Sequence, residues 1–195
     1  MIRFFDLLFS FLGLIVLSPL LLLIALAIAV GSRGGVFYLQ TRVGKDNRDF
    51  RLIKFRSMHT GAYKYGGLTI GDRDPRITRT GIFLRKMKLD ELPQLINVLI
   101  GDMSFVGPRP ELRKYVDLYT TEQKKVLSRR PGITDFASVE YINENEILGR
   151  AADPEKTYIE EIMPAKLELN RKFIDDPGLR NYFKVIGLTI QKIFR

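Results

Sequence analysis

The chain has 195 residues, no cysteine and a single histidine, and it carries a formal net charge of +9. Without cysteine it has neither disulfides nor thiol chemistry, and the lone His59 argues against a histidine-built metal site or catalytic triad. Residues 1–32 contain only Arg3 and Asp6 as charged side chains, so the excess positive charge belongs to residues 33–195. Such a basic region implies an anionic partner, whether nucleic acid, phospholipid headgroups or a phosphorylated small molecule.

An uncharged apolar segment extends from residue 7 to residue 30. As a helix it would be about 36 Å long, enough to cross a hydrocarbon core of about 30 Å. The single preceding Arg3 and the lack of a small-residue cleavage site argue against a signal peptide. We therefore predict a retained membrane element over residues 1–32 and a separate domain over residues 33–195. Seven basic residues after the segment predict that this domain stays on the cytoplasmic side of the membrane: Arg33, Arg42, Lys45, Arg48, Arg51, Lys54 and Arg56.

Ser18-Pro19 lies near the middle of the apolar segment. Proline removes the hydrogen bond to the carbonyl of Ile15 and crowds that turn, while the Ser18 hydroxyl can satisfy the freed carbonyl. A kink is expected. The residues alone leave two paths open, a bent helix that spans the bilayer, which base rates favour, and a break that returns the chain to the same leaflet.

The polar region alternates short strands, loops and helices. Strands are predicted at residues 36–40 and 49–56, around the turn 44–47, forming a basic hairpin. Residues 61–76 are rich in glycine and lack periodicity, which is typical of a surface loop or of a lid over a site. Helices are predicted at 80–87, 111–128 and 156–174, with a last one after Pro177-Gly178. This last helix would direct six apolar side chains to one face, either into the core or toward the membrane interface: Tyr182, Phe183, Ile186, Ile190, Ile193 and Phe194.

Two adjacent carboxylates, Asp90 and Glu91, stand at the start of an apolar helix that is predicted to end at Gly101. Asp90 is expected to be the N-cap, with Pro93 in the first turn. Free N–H groups and the helix dipole would keep the carboxylates ionised and would attract a phosphate. An ordinary helix cap accounts for the same residues, so the pair alone does not distinguish a cap from a nucleophile or a metal ligand.

Arg109 lies between Pro108 and Pro110, and this stiff backbone would present its guanidinium to a diphosphate with little loss of freedom. Two further cations, Arg79 and Arg85, precede the carboxylates. A carboxylate pair beside phosphates can hold Mg²⁺. Phosphate chemistry on a lipid substrate explains these features together. The rival is a membrane-tethered basic scaffold or nucleic-acid-binding protein, in which the arginines contact backbone phosphates.

Several motifs, in this order along nearly the whole chain, resemble those of the small monotopic phosphoglycosyl transferases, bacterial sugar transferases that start glycan assembly on a polyprenyl phosphate. They are Ser18-Pro19, Lys54-Phe55-Arg56-Ser57-Met58, Asp74-Pro75-Arg76 followed by Arg85-Lys86, residues 89–94 (Leu-Asp-Glu-Leu-Pro-Gln), residues 102–110 (Asp-Met-Ser-Phe-Val-Gly-Pro-Arg-Pro) and residues 130–134 (Arg-Pro-Gly-Ile-Thr). Each is weak alone, whereas their combination and order are specific. After Thr134 the chain has Asp-Phe-Ala-Ser, where the family more usually has Gly-Leu-Ala-Gln.

The resemblance implies a mainly α-helical fold with a small β-hairpin, a kinked re-entrant membrane helix broken at Ser18-Pro19, and amphipathic helices at the membrane surface. It also implies that Asp90 attacks the sugar-bearing phosphate of a UDP-sugar, releases UMP and passes the phosphosugar to polyprenyl phosphate. Glu91 would help to bind Mg²⁺ or manage protons, and both carboxylates are the expected metal ligands. Six basic side chains are predicted to bind phosphate or substrate: Arg109, Arg85, Arg79, Lys54, Arg56 and Arg130.

The implied partners are a UDP-sugar, polyprenyl phosphate and the lipid bilayer, and not nucleic acid. The resemblance also implies the bacterial inner membrane, with the catalytic domain on its cytoplasmic face. The chain lacks the several spanning helices that precede the catalytic domain of larger relatives, so it resembles the minimal form of the family. Direct attack by the lipid phosphate in a ternary complex is the alternative to a covalent enzyme. The sequence leaves open the sugar, the prenyl chain length, the glycan pathway and whether the chain forms a homodimer.

Overall fold

Helices predominate in the residues that the computed structural model describes, 1–62 and 74–193. They are α1 (Ile2–Gly31), α2 (Arg79–Lys86), α3 (Gln94–Ile100), α4 (Arg113–Val116), α5 (Phe136–Glu140), α6 (Glu144–Arg150), α7 (Pro154–Thr157), α8 (Met163–Asp175) and α9 (Leu179–Ile193). The strands are β1 (Phe37–Val43), β2 (Asp49–Phe55), β3 (Ser104–Val106) and β4 (Gly132–Thr134). Short 3₁₀ helices lie at Lys45–Asn47, Leu89–Glu91 and Gln123–Ser128. The prediction of a mainly α-helical chain with a small β-hairpin is confirmed.

The N-terminal helix α1 is one continuous element with Pro19 inside it. As predicted, the Ser18 hydroxyl donates to the carbonyl oxygen of Ile15 at 2.7 Å, which replaces the amide that proline lacks. The helix is long and apolar enough to cross a membrane, and most of its apolar surface is exposed. The re-entrant path stays a prediction.

The N-terminal end of α1 is tied to the domain by its two charged residues. The Arg3 guanidinium donates to two carbonyl oxygens in the last turns of α3, at 2.6 and 3.1 Å. The buried Asp6 carboxylate accepts hydrogen bonds from the Ser104 hydroxyl, the Phe105 amide and the Tyr182 hydroxyl. Because buried polar groups are costly when they lack partners, these bonds hold the start of α1 against β3 and α9.

The other end of α1 packs Ile24 and Ile28 against Phe55 of β2 and Leu84 of α2. Both ends therefore contact the same domain, and α1 lies along it. The opposite face of α1 exposes many large apolar side chains, namely Phe4, Leu7, Leu8, Phe11, Leu12, Ile15, Val16, Leu20, Leu22, Leu23, Leu26 and Val30. An exposed apolar surface of this extent is typical of a membrane contact.

The predicted basic hairpin is confirmed. Strands β1 and β2 pair antiparallel, from Phe37 opposite Phe55 to Val43 opposite Asp49. The outer edge of β2 is covered by the Asn97 side chain of α3, which accepts from one β2 amide at 2.9 Å and donates to one β2 carbonyl at 2.8 Å. This bidentate contact fixes the hairpin on α3 and directs the end of β2 toward the Leu89–Glu91 turn.

A second pair of short strands, β3 and β4, runs parallel. Immediately after β3, a Cβ atom on Gly107 would lie 2.3 Å from a backbone oxygen, and one on Gly132 would lie 2.2 Å from the Gly107 amide. Only glycine allows the two backbones to cross this closely. The crossing sets the loop after β3, which carries Arg109, beside the loop after β4.

The predicted helix over residues 111–128 is wrong. Helix α4 ends at Val116, and a separate 3₁₀ helix begins at Gln123. Between them, the Gln123 amide donates to the Thr120 hydroxyl at 3.2 Å, and the Thr120 amide donates to the Gln123 side chain at 2.9 Å. This reciprocal pattern is a capping box, which starts a new helical turn and so interrupts the apolar periodicity.

The predicted start of the helix at Asp90 is also wrong. Helix α3 begins at Gln94, and Asp90 lies in the preceding 3₁₀ turn, Leu89–Glu91. Lys88, with φ 56°, adopts the left-handed conformation that ends α2, and Pro93, which has no amide hydrogen, stands at the N-cap of α3. The helix ends as predicted, at Gly101 with φ 105°.

The last two predicted helices are present. Helical structure continues from α7 through a π-helical turn, Tyr158–Ile162, into α8, where Pro164 stands in the first turn. In α9, Tyr182 lies in the core, whereas Phe183 and Ile190 are exposed, so the predicted apolar face divides between core and surface. Residues 63–73 of the predicted loop and residues 194–195 lie outside the described residues.

Candidate active site

A cavity of about 420 Å³ opens between the hairpin, α2, the Leu89–Glu91 turn and the loop after β3. Five predicted site residues line it with charged side chains: Asp90, Lys54, Arg56, Arg85 and Arg109. Cavities of this size hold small-molecule ligands, and the basic side chains that line this one together with Asp90 suit an anionic ligand.

Asp90 is the buried carboxylate of this cavity, with 7% of the residue exposed. Its neighbours Leu89 and Leu92 pack toward α1, which fixes the turn that presents Asp90. Burial raises its pKa above the ordinary value; Lys54 opposes this effect and Glu91 adds to it. Among residues 1–62 and 74–193, its carboxylate has no hydrogen-bond or ion-pair partner. The expectation that a helix start stabilises the ionised form of Asp90 is therefore wrong.

Glu91 has the opposite surroundings. Its Oε1 atom accepts from Lys54 Nζ at 2.8 Å and from Arg109 Nη2 at 2.6 Å. Burial raises the pKa of Glu91, but Arg109 and Lys54 outweigh burial and hold this pKa well below its usual value. Glu91 in turn raises the pKa of Arg109. Glu91 therefore stays ionised and joins β2 to the loop after β3.

Arg109 is held at its backbone as well as at its guanidinium. Its amide donates to Asp135 Oδ2 at 2.9 Å, and the other oxygen of this carboxylate accepts from the Ser138 amide at the start of α5. Asp135 is almost completely buried. Sequence reasoning did not assign Asp135 a role, although an aspartate before a short apolar helix is a usual N-cap signal.

Burial also desolvates Lys54, Arg85 and Arg42 in the cavity. Burial lowers the pKa of Lys54 against the opposing effect of Glu91, and burial lowers the pKa of Arg85 against that of Asp90. Arg42, which sequence reasoning did not select, also lines the cavity and lies 3.6 Å from Glu111. Because these cations are partly stripped of water, an anion that enters the cavity gains more from them than it would at the surface.

The family model described as bacterial sugar transferase matches residues 1–195. The chain belongs to the bacterial sugar transferase family.

Similar proteins carry names that agree with this membership. The UDP-N-acetylgalactosamine-undecaprenyl-phosphate N-acetylgalactosaminephosphotransferase of Aeromonas hydrophila is 44% identical over 160 residues, which cover 80% of this chain and 36% of that protein. The UDP-glucose:undecaprenyl-phosphate glucose-1-phosphate transferase of Escherichia coli (strain K12) is 35% identical, over 97% of this chain and 39% of that protein. The uncharacterized sugar transferase EpsL of Bacillus subtilis (strain 168) is 35% identical, over 98% and 86%. This chain spans somewhat more than a third of the length of the first two.

In this sugar transferase family member, three of the predicted substrate-binding cations either donate to backbone carbonyls or are exposed to solvent. The Arg56 guanidinium is buried and donates to the carbonyl oxygens of Ser32 and Arg33, just beyond α1. Arg130 Nε donates to the Gly101 carbonyl at 2.8 Å. Arg79 is exposed at the first position of α2. Of the three, only Arg56 lines the described part of the cavity, and its guanidinium fixes the end of α1.

The donor set for a metal is limited. No cluster of three or more histidine, aspartate or glutamate side chains suited to a metal occurs within the described ranges. Asp90 fits Mg²⁺, because this ion commonly takes one or two carboxylates together with substrate phosphates. Glu91 does not fit as the second ligand in this arrangement, since its Oε1 already accepts from Lys54 and Arg109.

Proposed function

We propose that this chain transfers a sugar 1-phosphate from a UDP-sugar to polyprenyl phosphate. The observation that carries the proposal is the buried Asp90 carboxylate in a cation-lined cavity, beside a helix whose outer face is apolar. The names of the similar proteins support the same pair of substrate classes.

In the first step, a carboxylate oxygen of Asp90 attacks the phosphorus that carries the sugar. A bond forms between that oxygen and the phosphorus, and the bond from the phosphorus to the bridging oxygen of the diphosphate breaks. UMP leaves with the bridging oxygen and its electron pair, and Asp90 becomes an acyl phosphate. Lys54, Arg85 and Arg109 would neutralise charge on the phosphates during the transfer.

In the second step, an oxygen of polyprenyl phosphate attacks the same phosphorus. The acyl phosphate bond breaks, the diphosphate-linked sugar leaves on the lipid, and Asp90 returns to its carboxylate form. Leu89 and Leu92 support this step, because they pack the turn that carries Asp90 against a cluster that includes Ile24 and Ile28 of α1, the element expected in the membrane. A lipid phosphate at the bilayer surface would then need to travel only a short distance.

Glu91 acts on the cations and is not a second nucleophile. By accepting from both Lys54 and Arg109, it holds them at one edge of the cavity. Mg²⁺, held by Asp90 and phosphate oxygens, would supply positive charge that offsets the repulsion between the carboxylate and the diphosphate.

We infer that α1 enters and leaves the bilayer on the cytoplasmic face. A helix that crosses the membrane places its two ends on opposite faces of the bilayer. Contacts of both α1 ends with one domain support the re-entrant path instead. A tag at Met1 should be protected from a periplasmic labelling reagent in intact cells, and its labelling would contradict this topology.

The activity is tested by incubating the purified chain with a set of UDP-sugars and polyprenyl phosphate in detergent or nanodiscs. We expect UMP release that requires the lipid acceptor for multiple turnovers. Salt-sensitive binding to nucleic acid, with no UMP release from any donor, would instead support the scaffold alternative.

A further inference from the structure

The cavity that holds Asp90 has a second polar wall, formed by residues that follow β4 in the chain. Helix α6 contributes Glu144, Asn145 and Leu148 to it, and Tyr158 and Lys166 come from the helical stretch that follows. These residues lie 54 or more positions after Asp90 in the sequence. Residues so far apart in the sequence line one cavity with Asp90 because the tertiary fold brings the later helices against the hairpin.

The charges of this wall are largely paired within the protein. Lys166 Nζ lies 2.7 Å from Glu144 Oε2 and 3.9 Å from Glu111 Oε1. The Tyr158 hydroxyl donates to the same Glu111 oxygen. In the described part of the chain, Glu144 Oε1 accepts no hydrogen bond, and 27% of the Glu144 side chain is exposed. Glu144 therefore offers one carboxylate oxygen to a ligand while Lys166 fixes the other.

Tyr115 adds an independent polar group to the cavity. The residue is 3% exposed and lines the cavity, and its hydroxyl makes no well-formed hydrogen bond among the residues that the structure describes, although the nearby Lys114 ammonium acts to lower its pKa against the effect of burial. Buried hydroxyls normally have a partner, because an unpaired one costs about 1–3 kcal/mol. A ligand with its own polar groups would supply such a partner.

The wall and the Asp90 end of the cavity suit different parts of one molecule. The diphosphate belongs with Lys54, Arg85 and Arg109, since the Glu144 carboxylate would repel it. A free carboxylate oxygen, a side-chain amide and a hydroxyl are instead the groups that bind sugar hydroxyls.

We propose that Glu144 and Asn145 form a hydroxyl-binding subsite that recognises a diol of the nucleotide-sugar donor. This inference rests on the proposed function, because the donor is the molecule that the Asp90 cavity would hold. The diol belongs either to the transferred hexose or to the ribose of the nucleotide, and the two sources give different kinetic results.

The test compares Glu144→Gln and Asn145→Ala with Glu146→Gln, a control on the exposed side of the same helix. UMP release is measured with UDP-glucose and with UDP-N-acetylgalactosamine, and UMP serves as an inhibitor that carries the ribose alone. We expect each wall variant to lower kcat/KM by about tenfold, the usual effect of one lost hydrogen bond to substrate. The control should match the unmodified chain.

Recognition of the hexose predicts unequal losses for the two donors and an unchanged inhibition constant for UMP. Recognition of the ribose predicts equal losses and UMP inhibition weakened by the same factor. Wall variants that behave like Glu146→Gln in every measurement would overturn the subsite. Asn145→Ala keeps the Lys166–Glu144 ion pair, so it decides the matter if Glu144→Gln unfolds.

Failure of the proposed function has a different signature. If the unmodified chain releases no UMP from any donor, calorimetric binding of UDP-glucose and UMP to the same variants still tests the subsite. Weaker binding in the wall variants would support it, and equal binding in all variants would overturn it.

Discussion

Asp90 and Glu91 are neighbours on one 3₁₀ turn, yet their surroundings are opposite. Asp90 is buried with its pKa raised, whereas Glu91 contacts two cations that hold its pKa well below the usual value. A carboxylate that is paired and strongly stabilised is a poor nucleophile, and one that is desolvated with its pKa raised is a better one. The difference teaches that two adjacent acids need not share one role: Asp90 is suited to react and Glu91 to organise the cations.

The largest expected effect comes from Asp90→Asn. Without a nucleophile, UMP release should fall by at least about a thousandfold, as for other covalent nucleophiles. The same change removes a buried charge, so the melting temperature should stay equal or rise. Activity above a few per cent of the original, in a variant of unchanged fold by circular dichroism, would contradict the assigned role.

Glu91→Gln should combine a smaller loss of activity with a loss of stability. Lys54 and Arg109 would keep their charges without their common anion, which should cost about 2 kcal/mol of unfolding free energy, between the values of exposed and buried pairs. Misplaced cations should lower kcat/KM roughly a hundredfold. The matched control is Glu155→Gln, which breaks the exposed Lys114–Glu155 pair at 2.6 Å and should alter neither quantity. Equal behaviour of the two variants would show that Glu91 does not organise the site.

Asp135→Ala should lower kcat/KM by about tenfold, because Arg109 loses the acceptor for its amide. It also removes the cap of α5, a change that usually costs about 1 kcal/mol. Asp153→Ala is the control, since Asp153 caps α7 in the same way and lies outside the cavity lining. In an Arg109→Ala background, Asp135→Ala should cause no further loss of kcat/KM. A full additional loss there would show that Asp135 does not act through Arg109.

The smallest expected effect is a displaced pH profile. Since burial raises the pKa of Asp90, activity should decline on acidification above the pH at which ordinary carboxylates titrate, while Glu91 is still ionised. Protonation of Asp90 is favoured in the folded state, so its stabilising effect is present at low pH and is lost as pH rises through the raised pKa. The melting temperature of the unmodified chain should therefore fall relative to Asp90→Asn over that interval. Parallel melting curves at all pH values would contradict the raised pKa.

Local sequence patterns predicted much of the framework. The alternating strands around residues 44–47, the glycine that ends α3, and the Ser18 hydroxyl beside Pro19 depend on neighbours in the chain, and all are present. The start of α3 was wrong because Lys88 adopts a left-handed conformation that no periodicity reveals. The helix over residues 111–128 was wrong because a capping box competes with its apolar pattern.

Cavity residues that belong to recognisable motifs could be selected from the sequence. Residues that only the fold brings to the cavity could not. Asp90, Lys54, Arg85 and Arg109 come together as the motifs imply. Arg56 shares a motif with Lys54, and Arg130 begins the motif of residues 130–134, but both guanidinium groups donate to backbone carbonyls. Arg56 thereby fixes the end of α1, and Arg130 fixes the end of α3. Contacts such as Glu144 with Lys166 join distant segments and leave no local signal in the sequence.

The most direct test of the account is the mass of the intact chain after brief exposure to a UDP-sugar alone. We expect an added mass equal to one phosphosugar, mapped to the peptide that contains Asp90. Addition of polyprenyl phosphate should discharge it, and Asp90→Asn should not acquire it. Rapid UMP release with both substrates but no adduct at any quench time, or an adduct that persists in Asp90→Asn, would contradict the covalent role of Asp90.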